Sequence, residues 1–251
     1  MKAIRFIVLA SLLSIAPASV ACTDASSDPD AAGASVAGAP SSSLEPESTG
    51  SSVGSVDVTQ PSCDLTPRQT EGPFYFDPGM ERRDITEGKP GTPLVVELRL
   101  VEAETCVPIP GASVDIWHSD ALGQYSGYTG QGVNNADTRG ETFLRGTQIT
   151  DFGGFVEFET VYPGEYSGRT AHIHFKARTD ERDLIASQLY FPDDITETVA
   201  ATEPYSALGV RTTTNANDSV LRDDPVELGL LGSVTQVGGG YAVSLTIAVN
   251  P

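Results

Sequence analysis

Two of the chain's 3 histidines, His172 and His174, stand two residues apart in the run Tyr166-Ser167-Gly168-Arg169-Thr170-Ala171-His172-Ile173-His174-Phe175-Lys176-Ala177. From Ala171 onward apolar and polar residues alternate with a period of two, the pattern of a half-buried strand. Ala171, Ile173, Phe175 and Ala177 then face a core, while His172, His174 and Lys176 face away from it. Imidazoles so spaced can reach one metal ion without distorting the backbone. A lone His-x-His pair is more often a hydrogen-bonded polar pair, so a metal site requires further ligands.

Thiolates are disfavoured, because the chain has only 3 cysteines and its N-terminus directs it to an oxidising compartment. Carboxylates and tyrosines remain. Tyr166 lies in the turn after Pro163-Gly164, and Tyr125 in the loop after Trp117-His118. A phenol gives up its proton near pH 10, so these become ligands only for a hard ion such as Fe(III). Two phenolates and two imidazoles would leave one open position on a five-coordinate iron. Arg169, three residues before His172, is costly beside a cationic centre unless an anion or developing carbanion lies between them. Gln188, on the next strand, could donate to a bound anion or oxygen species. The ordinary alternatives are packing for each tyrosine, a surface ion pair for Arg169 and simple exposure for Gln188. His118 shares a strand face with Val114 and Ile116 and reads as a structural histidine behind the Tyr125 loop.

The elements that must position these residues point to an all-β scaffold. The 251 residues include 25 Gly and 17 Pro, with short alternating apolar runs between turn signals. Lys+Arg number 15 against 34 Asp+Glu, a formal net charge of -19. That balance argues against nucleic acid and anionic membrane surfaces as partners, since both repel it. Residues 1–21 read as a signal peptide: Lys2 and Arg5 form the basic region, Phe6 to Ala16 the apolar one, and Ala18 to Ala21 the small residues before Cys22. The apolar run is too short for a stable span, so export to an extracellular or periplasmic location is expected. Ala21 before Cys22 suits a bacterial lipid anchor, although Ser19 stands where leucine gives a stronger signal; ordinary cleavage nearby is the alternative. With Cys22 acylated or removed, Cys63 and Cys106 remain as one disulfide. Residues 22–60 are rich in Ser, Ala and Gly and read as a disordered tether, leaving 61–251 as the folded domain.

Within that domain Leu65 to Asp77 reads as an extended arm. Leu94 to Leu100, Ala112 to His118, Ala171 to Ala177, Ala186 to Phe191 and Tyr241 to Val249 read as strands, and Asp120 to Arg139 as a polar loop. Thr142 to Thr150 and Phe155 to Thr160 are expected to form a hairpin across Asp151-Phe152-Gly153-Gly154. Asp194 to Thr202 is expected to be one short helix. This spacing implies a β-sandwich.

The run Tyr162-Pro163-Gly164-Glu165-Tyr166 through Arg169, His172 and His174 resembles the metal motif of the intradiol ring-cleavage dioxygenases, which use non-haem Fe(III). Further matches in the family's order are Thr70-Glu71-Gly72-Pro73-Phe74-Tyr75, Val114 to Tyr128, Phe143-Leu144-Arg145-Gly146 and Ser187-Gln188-Leu189-Tyr190-Phe191. The pattern is most similar to exported, single-domain bacterial members. The resemblance implies a transthyretin-like sandwich in which Tyr125, Tyr166, His172 and His174 hold the iron. It places Arg169 over the substrate ring and Gln188 beside it. Substrates would be a catechol-type diol and O2, the product a cis,cis-muconate-type diacid, and the assembly, as often in the family, a homodimer. Tyr166 would leave the metal and take up a substrate proton, and Arg169 would stabilise carbanionic character on the ring. The connection from Tyr166 to Arg169 is short and lacks the tryptophan of the better-known soluble enzymes, so the pocket's roof differs from theirs.

Two other readings compete. One is a cupin-like metal enzyme, which would need a carboxylate after the second histidine and a later histidine; no histidine follows His174. The other is a non-catalytic, surface-displayed sandwich acting as a binding module, against which the presence of all four ligand candidates counts.

Overall fold

Alternation builds the strands as expected. On β1 (Pro93–Glu102), Leu94, Val96, Leu98 and Leu100 are buried, while Glu97 between them is exposed. The computed structural model describes residues 63–132, 134–223 and 229–250. The expected signal peptide at 1–21, the expected anchor at Cys22 and the expected tether at 22–60 lie outside the described residues. The remaining strands are β2 (Ser113–Trp117), β3 (Thr129–Gln131), β4 (Ala136–Asp137), β5 (Arg145–Ile149), β6 (Phe155–Val161), β7 (His172–Arg178), β8 (Asp183–Tyr190), β9 (Ser233–Val237) and β10 (Gly240–Val249). One helix, α1 (Asp193–Ala200), follows β8.

Two four-stranded sheets, ordered β6-β1-β10-β9 and β5-β2-β7-β8, face each other as a sandwich. Leu98, Phe158 and Ile247 from the first sheet and Ile116, Ile173, Phe175 and Leu189 from the second share one buried cluster. Burying each such side chain stabilises the fold by roughly 1.5–3 kcal/mol. Among the described residues no helix is long and apolar enough to cross a membrane.

The expected hairpin does not form. β5 pairs with β2 and β6 pairs with β1, so the Asp151–Gly154 turn carries the chain from one sheet to the other. Asp151 Oδ1 accepts from the amides of Gly153 and Phe155, each at 2.8 Å. That turn closes equally well in a hairpin or an arch. The strands decide between them: β6 carries a core-facing set in Val156 and Phe158, whereas the lone large apolar residue of β5, Ile149, is exposed. β5 is also shorter than the expected Thr142 to Thr150. The loop at 120–139 contains the small β3–β4 ribbon. β9, not foreseen, forms a hairpin with β10 across Gly238-Gly239. Both glycines have positive φ (52° and 85°), as a tight turn matching strand twist requires.

The register of the second sheet matters most for function. Trp117 pairs with His174 and His174 with Gln188, while His172 pairs with Tyr190. Directly opposed residues project from the same face. Trp117, His174 and Gln188 thus form one row beside His172 and Tyr190, all pointing away from the core.

Candidate metal centre

That outward face is nevertheless closed at its histidine end. His172 and His174 are only 2% and 1% exposed, because the arm at 65–77 and the loop after β2 fold over them. The arm runs along the edge of β8, where the Gln69 amide donates to the Ala186 carbonyl (3.1 Å) and Gln188 Nε2 donates to the Thr70 carbonyl (3.1 Å). At Gly72 (φ +70°) a Cβ would stand 3.3 Å from His174 Cε1, so glycine lets the arm pass over the imidazole. Phe74 then stacks on Tyr125 at 4.6 Å between centroids, and Tyr75 leans on Trp117 at 4.7 Å.

Two loops carry the tyrosines. Asp120 Oδ1 accepts from the amides of Leu122 (2.9 Å) and Gln124 (3.0 Å), which turns the chain ahead of Tyr125. The Tyr125 amide donates to Gln131 Oε1 (3.0 Å), and its carbonyl accepts from Thr138 Oγ1 (2.7 Å). Buried Arg145 anchors the next residue through Ser126 Oγ (2.8 Å) and the Ser126 carbonyl (2.9 Å). The Tyr166 loop is tied to the Tyr125 loop, because Ser119 Oγ donates to the Gly164 carbonyl (2.7 Å) and the Gly164 amide to the Asp120 carbonyl (3.1 Å).

Four donor atoms consequently meet. His172 Nε2 lies 3.4 Å from Tyr125 Oη, 3.1 Å from Tyr166 Oη and 3.2 Å from His174 Nε2, and the two phenol oxygens are 3.5 Å apart. His172 Nδ1 donates to the Thr170 carbonyl (2.7 Å), which leaves the Nε2 lone pair pointing into the cluster. One lone pair cannot satisfy three polar neighbours. Separations of this size suit a single ion about 2 Å from each atom. Burial pushes His172 down to about 3, with Arg169 adding to the effect, and drives His174 well below the usual imidazole range. Both imidazoles are therefore neutral and able to ligate. Burial also raises Tyr125 far above the ordinary phenol value and raises Tyr166, where Arg169 opposes it. Only a strongly charged, hard ion would take their protons. Among the described residues no group of three or more His, Cys, Asp or Glu gathers around a possible ion, so the carboxylate set a cupin-type centre needs is not there. The donor set fits Fe(III).

Arg169 adjoins this cluster at Tyr166, in a buried network and not on the surface. The Arg169 amide closes a short turn onto the Tyr166 carbonyl (2.9 Å), which sets its Nη1 3.3 Å from Tyr166 Oη. Nη2 donates to Gln188 Oε1 and to Tyr190 Oη (3.1 Å). Gln188 is fully buried, not exposed. On the far side Arg169 Nε meets the Asp218 carboxylate at 3.0 Å. His118 stands apart: it is fully buried, bonded to Thr160 Oγ1 and the Ser119 carbonyl, each at 2.8 Å, and lowered by burial to about 4. Two clefts, of about 250 and 400 Å³, flank the turn at Glu165–Ser167. Their linings include Tyr166 but not Tyr125, His172 or His174, so Tyr166 is the ligand candidate nearest the outside.

Sequence reasoning missed Tyr190, Phe74 and Asp218 as parts of this site. Tyr190 was within reach, because it sits two residues after Gln188 on the same strand face. Asp218 carries no such signal.

A family model described as Dioxygenase matches residues 70–205, just over half of the chain and all four ligand candidates. The chain belongs to the intradiol dioxygenase family. An intradiol ring-cleavage dioxygenase from Tetranychus urticae is 31% identical, with a TM-score of 0.68 over 75% of this chain and 96% of that one. The dioxygenase domain of a dioxygenase–carbohydrate-binding protein fusion from Streptomyces sp. SirexAA-E is 32% identical, with a TM-score of 0.54 over 74% of this chain and 97% of that one. Catechol 1,2-dioxygenase 1 of Acinetobacter lwoffii is 28% identical over 152 residues, 51% of this chain and 47% of the relative. This intradiol dioxygenase chain thus spans about half the length of the curated relatives it matches.

Proposed function

We propose that the protein is a non-haem Fe(III) dioxygenase that opens a catechol-type ring between its two hydroxyl-bearing carbons. Both atoms of O2 enter the product, a cis,cis-muconate-type diacid. The observation that carries this reading is the meeting of two phenol oxygens and two neutral imidazole nitrogens at 3.1–3.5 Å beside a buried guanidinium that contacts Tyr166 Oη. Tyr125, Tyr166, His172 and His174 would hold the ion. When bound, the iron supplies the Lewis acidity that ionises the phenols and draws electron density from a catecholate.

The chain's own residues do the rest. Tyr166, half-buried and bordering both clefts, is placed to accept a proton from an incoming catechol hydroxyl. Tyr125, fully buried and stacked beneath Phe74, stays in place. Arg169 presents Nη1 and Nη2 where negative charge would develop on the ring, and its stabilisation grows as that charge does. The Thr170 carbonyl holds the His172 tautomer, and the arm excludes water from the imidazoles. Export, an anchor at Cys22 and a homodimer belong to the same proposal; cell fractionation, the mass of the mature N-terminus and the molar mass in solution test them.

The full-length protein should bind one iron per chain and turn wine-red through tyrosinate-to-Fe(III) charge transfer. It should consume dioxygen with at least one of catechol, hydroxyquinol, protocatechuate or a lignin-derived catechol. A colourless protein after iron loading, without oxygen uptake on any of the four, would overturn the reading.

A further inference from the structure

Arg169 must present one edge of its guanidinium to a bound ring, and the opposite edge is gripped by a residue outside the matched stretch 70–205. Asp218 is fully buried between two short 3-10 turns, Asn215–Asn217 and Leu221–Asp223. Its two oxygens receive Arg169 Nε at 3.1 and 3.0 Å. The same carboxylate accepts from the amides of Thr170 (2.8 Å), Val220 (2.8 Å) and Leu221 (2.9 Å). The carboxylate is thus held from three points of the backbone before it meets the arginine.

Binding at Nε leaves both terminal amino groups turned the other way. Nη1 faces Tyr166 Oη, and Nη2 faces Gln188 Oε1 and Tyr190 Oη. A guanidinium is a rigid planar fork, and rotating it would break charge-assisted bonds in a buried site. Asp218 is also the one carboxylate among these side-chain partners of Arg169, the others being Tyr166, Gln188 and Tyr190.

We propose that Asp218 is a positioning residue: it clamps the Nε edge of Arg169 so that the amino edge faces the substrate ring at Tyr166. This role rests on the dioxygenase reading. A purely structural role, capping the Val220 and Leu221 amides, would need an acceptor but no charge. A serine can cap such a turn, so the two roles separate by substitution.

The test compares wild type, Asp218→Asn, Asp218→Ser, Arg169→Met and the double variants in the iron-loaded full-length protein. Asp218→Asn and Asp218→Ser should lower kcat by about 100-fold, the scale of a misplaced reacting group. KM should change by less than about threefold, because the lost interaction belongs to the transition state. Iron content should stay at the wild-type level, and the visible charge-transfer band should shift as the Nη1 contact to Tyr166 moves. In the Arg169→Met background the same substitutions should change kcat by less than about twofold, the non-additivity of residues acting as one unit. Unchanged kcat in the folded single variants, or full additivity with Arg169→Met, would overturn the proposal. So would loss of the melting transition in both Asp218 variants, which would make Asp218 a folding residue only. A wild-type protein that consumes no dioxygen with any catechol overturns the dioxygenase reading and this role with it; wild-type turnover alongside undiminished Asp218→Asn turnover overturns this role alone.

Discussion

At His172 one hydrogen bond decides what the side chain can do. Because Nδ1 donates to the Thr170 carbonyl, Nε2 is the free lone pair, and it points at Tyr125, Tyr166 and His174. In the proposed reaction the two tyrosines take different roles for reasons of burial. Tyr125 is sealed beneath Phe74, while Tyr166 reaches the clefts. Replacing Tyr166 by Phe removes one proposed ligand, the one proposed to serve also as a base, yet leaves three others. Tyr166→Phe should therefore retain iron, measured by metal analysis, while kcat falls by at least about 100-fold. Turnover at the wild-type rate would show that Tyr166 takes no proton. The four ligand candidates that meet here were legible in the chain because their types, order and spacing are written in contiguous motifs. Asp218 was not, since an aspartate in a polar stretch reads the same whether it is solvated or buried against a guanidinium.

Among the elements, the arm at 65–77 does most to turn an ordinary sheet face into an enclosed site. Its start is fastened by the Cys63–Cys106 disulfide, which joins residues 43 apart, and by the Thr66 amide bonding to the Ala248 carbonyl (2.9 Å). A closed loop of that length removes chain entropy from the unfolded state worth about 4 kcal/mol. The Cys63→Ala/Cys106→Ala variant should lose about that much stability in denaturant unfolding, while its folded fraction keeps its iron. An unfolding midpoint equal to that of wild type would show that the arm is held without the bridge. The β5–β6 connection teaches a different lesson about elements. Asp151 and its two glycines announce a turn, but a turn does not state which sheet the next strand joins. That choice belongs to the apolar partners of β6 on β1.

For the molecule as a whole, three neutral histidines inside the fold tie stability to pH. Burial lowers His118 to about 4 and His172 to about 3, and depresses His174 as well. In the unfolded chain each titrates near 6.5. As pH falls below 6.5 the unfolded state takes up protons that the folded state refuses, so stability is complete above that value and drops toward pH 4. His118 alone accounts for about 3 kcal/mol over that window. Urea unfolding of the metal-free protein at pH 7 and pH 4.5 should show the loss, and His118→Gln should make it shallower. An unchanged slope in that variant would show that His118 takes up its proton in the native state. The amino-acid sequence by itself determined the main core strands, the face their residues occupy and the chemistry of the ligand candidates, because period-two alternation and contiguous motifs are local records. Only the tertiary structure decided that the histidine face is closed over, that β5 and β6 part company, and that Asp218 grips Arg169. Those outcomes depend on contacts between residues far apart in the chain, for which no local pattern exists.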